Sequence, residues 1–85
     1  MSSSSGSSSE VDLVKVILVD LNDTQCDALV AALVLEASGE DPFRGVNMHT
    51  VNSLKKKFLV EDGGGVRVLT PEGRAVASYL MNRHG

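Results

Sequence analysis

The sequence predicts a small α+β domain of about three helices and a two- or three-stranded β-sheet that includes one short hairpin. Three observations carry this. Gly63-Gly64-Gly65 separates two short apolar runs, Phe58-Leu59-Val60 and Val66-Arg67-Val68-Leu69, and glycines at such a junction supply the positive φ angles of a tight hairpin. Thr70-Pro71-Glu72 then reads as a helix start: a capping hydroxyl, a proline suited to the first helical position, and an acid where the helix dipole favours negative charge. Upstream, Val51, Leu54 and Phe58 recur at i, i+3, i+7, so a helix over 47–57 buries that face.

In chain order, residues 1–10 read as a disordered Ser/Gly-rich tail, because MSSSSGSSS cannot bury apolar surface; residues 11–85 form one domain. Val11 to Leu21, VDLVKVILVDL, is dense in β-branched residues and reads as a strand buried on most of its surface. A helix stays open as the alternative, since Val14, Ile17, Leu18 and Leu21 also make a helical stripe. Asn22 or Asp23 caps a helix over about 24–38 that Gly39 closes, apolar nearly all round, with one side on the core and the other either an interface or a face of exposed alanines. Asp41-Pro42-Phe43-Arg44-Gly45 is a turn, with Phe43 plugging the core. After the 47–57 helix and the hairpin, the last helix packs through Gly73, Val76, Ala77 and Leu80, with Asn82 to Gly85 fraying.

Composition removes several function classes. Cys26 is the only cysteine, excluding an internal disulfide, and its place among Leu29, Val30 and Leu33 makes it a small buried hydrophobe rather than a nucleophile. His49 and His84 are the only histidines and have no paired-ligand spacing, so neither a metal nor a cofactor is expected. With no nucleophile and base placed together, the chain does not read as an enzyme. The glycine run lacks the Gly-Lys-Ser/Thr ending of a phosphate loop. Two phenylalanines and one tyrosine offer no stacking platform for single strands. The longest apolar run, Val16 to Val19, is far short of the roughly 20 residues that span a bilayer, and a cytoplasmic location without a membrane partner is expected.

Charge is segregated along the chain. Residues 1–42 carry eight carboxylates against Lys15 alone, a balance of −7, whereas residues 43–85 carry seven bases against three acids, a balance of +4. On the 47–57 helix, His49, Asn52, Ser53 and Lys56 recur at i, i+3, i+4, i+7 opposite the apolar stripe, with Thr50 and Lys57 beside them. These side chains can donate to phosphates or read base edges.

The run T-V-N-S-L-K-K-K-F-L-V-E, a Gly-rich turn, then V-R-V-L-T-P-E-G-R-A-V-A resembles the recognition helix, wing and following helix of winged helix-turn-helix DNA-binding domains, including MarR-like and related small bacterial regulators. The resemblance implies double-stranded DNA as partner, with His49, Thr50, Asn52, Ser53, Lys56 and Lys57 at the major groove and Arg67 of a 61–67 wing on phosphate or minor groove. It also implies transcription regulation. The chain departs from the pattern twice: Phe58 stands where a glycine is usual, and residues 39–47 leave one turn's room for the helix that precedes a recognition helix. So few bases neutralise few phosphates, so DNA binding calls for a dimer or a partner. The other reading is a non-enzymatic protein-interaction or homodimerisation module on the same scaffold.

Overall fold

The computed structural model describes residues 12–84, with the side chain of His84 outside the description; the expected 1–10 tail lies outside the described residues. Among the described residues, four helices and a two-stranded antiparallel sheet make an α+β fold: α1 (12–19), α2 (Asp23–Ser38), α3 (Met48–Lys56), β1 (Val60–Gly63), β2 (Val66–Leu69) and α4 (Pro71–His84).

The strand expected over 11–21 is corrected to a helix. Val14 is buried, and Ile17, Leu18 and Leu21 pack against the core, which is the stripe that helical spacing offers. On the outer edge of β2 the Leu69 N–H donates to the Glu36 carboxylate at 3.1 Å, where a third strand would offer a carbonyl. The β-branched run follows its 3.6-residue period, which buries that stripe.

Asn22 caps α2 through a capping box: its Oδ1 accepts from the Gln25 N–H at 2.9 Å, and Gln25 Oε1 accepts from the Asn22 N–H at 3.1 Å. Gly39, at φ +83°, ends the helix and donates to Glu36 O while Glu40 donates to Leu35 O, a Schellman closure. One face of α2, Gln25, Ala28, Leu29 and Ala32, is buried within the chain, and Ala31, Val34 and Ala37 face outward, the side read from the sequence as an interface or as exposed alanines. The buried face lies along α4, whose own stripe of Gly73, Val76, Ala77 and Leu80 is buried as its spacing predicts. Helix α4 runs on through Asn82 and Arg83 rather than fraying there. Phe43, 7 % exposed in the turn after α2, joins the same core.

The end of α3 departs furthest from expectation. The i+7 spacing predicts Phe58 on the buried face and its apolar run predicts it in the first strand; it is 75 % exposed, lies in neither element and adopts φ +63°. The chain makes a Schellman turn around it: Phe58 N–H donates to Lys55 O and Leu59 N–H to Leu54 O, both at 3.0 Å, and the fully buried Leu54 and Leu59 are the apolar pair that accompanies this motif. Thr70 holds the far side, its hydroxyl donating to Phe58 O at 2.7 Å and its N–H to Leu59 O at 3.2 Å. A left-handed conformation costs a residue with a Cβ about 1 to 2 kcal/mol, against about 0.5 to 1 kcal/mol of extra unfolded-chain entropy for glycine. Phe58→Gly is therefore expected to be as stable or up to about 1.5 kcal/mol more stable, and β-branched Phe58→Val less stable, as read by thermal melts.

The hairpin is closed by Gly64 and Gly65, at φ +62° and +93°, as a two-residue type I′ turn requires. Its register pairs Val60 with Leu69, Glu61 with Val68, Asp62 with Arg67 and Gly63 with Val66. Thr70 Oγ1 accepts from the Gly73 N–H at 3.0 Å, the helix cap its sequence position predicts.

Candidate nucleic-acid interface

Helix α3 turns Val51 and Leu54 into the core, which sends the residues half a turn away to the surface. His49, Asn52 and Lys56 are exposed along that outer ridge, with Ser53 half-buried at its side. The four lie on one face, as their spacing predicts. Thr50 and Lys57, both half-buried, fall on the flank turned towards α1, where Lys57 Nζ lies 3.9 Å from Asp20 Oδ2.

Arg67 stands on the opposite flank of α3. Its Nη2 lies 3.5 Å from the sulfur of Met48, the first residue of α3, and its Nε is buried without a hydrogen-bond partner among the described residues. The hairpin thus puts one cation beside the helix start, while the Lys55–Asp62 pair, at 3.4 Å, ties the same hairpin to the helix end. Asp62 also sits directly across the ladder from Arg67.

The electrostatics are mixed. Lys55 is paired with Asp62 and Lys57 with Asp20, whereas Lys56 and Arg67 form no ion pair among the described residues. The paired lysines have 36 % and 30 % side-chain exposure against 72 % and 78 % for their carboxylates, a regime where each pair contributes at most about 1 kcal/mol. Such pairs can be exchanged for contacts to phosphate. Sequence reasoning missed Met48 and both carboxylate partners: Met48 carried no signal, and Asp20 lies 37 residues from Lys57.

Cys26 is half-buried rather than fully buried, beside Asp23, Asp27, Val30, Leu80 and Arg83 in an open cleft between the start of α2 and the end of α4. Burial raises its thiol above the ordinary cysteine range, the Asp23 and Asp27 carboxylates add to this, and Arg83 opposes it. That environment disfavours the thiolate. Among the described residues no cluster of three His, Cys, Asp or Glu side chains could hold a metal ion, and no helix is long and apolar enough to cross a membrane.

Comparison with protein-family models, curated proteins and solved structures finds no match to this chain.

Proposed function

We propose that this protein binds duplex DNA as a winged-helix-like regulator or accessory module, with the outer ridge of α3 in the major groove and the β1–β2 hairpin as the wing. The observation that carries the reading is the exposed ridge of His49, Asn52 and Lys56, flanked across Met48 by the unpaired Arg67. An amide, an imidazole and one cation on the ridge, with a second cation at its flank, match base-edge and phosphate chemistry. A single turn over 42–45 takes the place of the helix that precedes a recognition helix, so α3 would be positioned by α2 and the hairpin alone.

Counterion release sets the test. If only Lys56 and Arg67 meet phosphates, affinity for a mixed-sequence duplex falls about tenfold between about 50 and 200 mM salt; if the Lys55 and Lys57 pairs also open, it falls about 150-fold. Lys56→Glu should weaken binding at least about tenfold. Absence of salt-sensitive binding, or binding indifferent to Lys56→Glu, would sink this reading.

A protein-interaction module on the same scaffold is the second reading. It is favoured by the two neutralised lysines and by the exposed apolar residues Leu13, Val16, Val19 and Phe58, which duplex binding leaves unused.

A further inference from the structure

We propose, resting on the duplex-binding reading, that Asp62 and Asp20 are autoinhibitory contacts on α3: each holds one flanking lysine away from phosphate, so that the wild-type chain engages a duplex through Lys56 and Arg67 alone.

The three consecutive lysines diverge at the end of α3. Lys56 lies on the outer ridge, Lys55 on the flank of the hairpin and Lys57 on the flank of α1. Each flanking lysine is met by a carboxylate. Lys55 Nζ stands 3.4 and 3.5 Å from the two oxygens of Asp62, and Lys57 Nζ stands 3.9 Å from Asp20 Oδ2. Lys15, exposed on α1, forms no ion pair with Asp20 among the described residues, so Lys57 is the cation that this carboxylate holds. Both aspartates are well exposed and their pairs hold little of the fold. What they do withhold is charge that a phosphate would meet.

Asp62 is fixed where a phosphate is least compatible with it. The Leu69 N–H points away from β1 to Glu36, so Val60 with Leu69 and, two residues on, Asp62 with Arg67 are the closely spaced, non-hydrogen-bonded pairs of the ladder. Side chains of such a pair share one face of the sheet, with Cβ atoms about 4.5 to 5.5 Å apart. That face sends Arg67 to Met48 at the start of α3 and Asp62 to Lys55 near its end. One carboxylate therefore stands beside two cations of the candidate interface. A phosphate drawn to Lys55 would remain next to a carboxylate that the ladder does not let withdraw, and like charges at this range oppose the exchange. Asp20 is anchored by its own N–H, which donates to Ile17 O at 3.1 Å. Glu61 supplies the contrast: it alternates to the other face of the hairpin and lines the cleft with Glu36 and Arg74.

Titration of a fluorescent mixed-sequence duplex with the full chain tests this, each variant being checked for folding by circular dichroism. Wild-type affinity should fall about tenfold between about 50 and 200 mM salt, that of Asp62→Asn about 40-fold, and that of Asp20→Asn/Asp62→Asn about 150-fold, as two, three and four cations reach phosphates. At about 50 mM salt each aspartate removed should raise affinity about tenfold. Lys55→Gln/Asp62→Asn should return both affinity and salt dependence to the wild-type values, because the freed lysine is then gone. Glu61→Gln makes the same change of net charge as Asp62→Asn, one residue away, and should leave the salt dependence unaltered. A wild-type loss already near 150-fold overturns the proposal while leaving duplex binding intact, since the pairs would then open unaided. So does a salt dependence that Asp62→Asn and Asp20→Asn leave unchanged, or one that Glu61→Gln steepens equally. No salt-sensitive binding by any variant, the double aspartate variant included, overturns the duplex reading and this proposal with it.

Discussion

Gly73→Ala is expected to cost about 3 kcal/mol, seen as a lower urea midpoint with an unchanged slope. Helix propensity alone predicts the opposite sign. Gly73 is in the first turn of α4, and replacing a helical glycine with alanine ordinarily stabilises by about 0.5 to 1 kcal/mol. Packing decides the matter. A Cβ built on Gly73 overlaps the Leu59 carbonyl oxygen and stands 3.1 Å from the carbonyl carbon and 3.3 Å from Cα, all backbone atoms that no rotamer change can move. That carbonyl is also held by the Thr70 N–H, and Leu59 itself is fully buried as the apolar stop of α3. The methyl must therefore push α4 off the α3–β1 junction. For a domain of this size, with about 4 to 11 kcal/mol of total stability, the loss is a large share. An unchanged or higher midpoint would mean that α4 does not press on Leu59.

The parts of this fold legible in the sequence are those set by local chemistry. Gly64 and Gly65 mark the turn, Thr70 and Pro71 mark the start of α4, Gly39 marks the end of α2, and each acts through a backbone preference that needs no tertiary context. Phe58 was misread because periodicity cannot see a helix end. Leu54 expects an apolar partner beyond the helix, and the left-handed turn at Phe58 passes that place to Leu59. The 12–19 segment is ambiguous for a different reason: its β-branched content and its helical stripe disagree, and the stripe wins because Val14, Ile17 and Leu18 meet a core built by residues distant in the chain.

The α3 ridge was legible because a face opposite Val51 and Leu54 must be exposed. Its electrostatics were not. Segregation of −7 from +4 along the chain suggested a one-signed patch, but folding returns Asp20 to Lys57, and the hairpin brings Asp62 to Lys55. Two of the three consecutive lysines thereby lose their free charge, and only Lys56 keeps it among the described residues. A charge count along the sequence gives net balance per segment, whereas recognition depends on which charges stay unpaired after segments of opposite sign have met.

Glu36→Ala should destabilise by about 2 kcal/mol, and Glu36→Gln by less than half of that. An acid in the last turn of a helix opposes the macrodipole, so the position gains nothing from α2 itself. Its value lies across the domain. Glu36 Oε2 accepts from the Leu69 N–H at 3.1 Å, and Oε1 accepts from Arg74 Nη2 at 2.9 Å, joining α2 to β2 and α4 with a carboxyl that is 14 % exposed. The Arg74 arm is 60 % exposed and contributes at most about 1 kcal/mol. The Leu69 bond weighs more, because alanine leaves a strand N–H at a covered edge with no protein acceptor, at about 1 to 3 kcal/mol. The open cleft beside Glu36, lined by Val68, Leu69, Pro71 and Arg74, lets water replace part of that bond and keeps the cost near the middle of the range. Glutamine keeps an acceptor oxygen for Leu69 and gives up only the charge. Denaturation midpoints in the order wild type, Glu36→Gln, Glu36→Ala are expected, together with faster hydrogen exchange at the Leu69 amide in the alanine variant alone. Equal losses in both variants would instead place the stabilisation in the Arg74 ion pair.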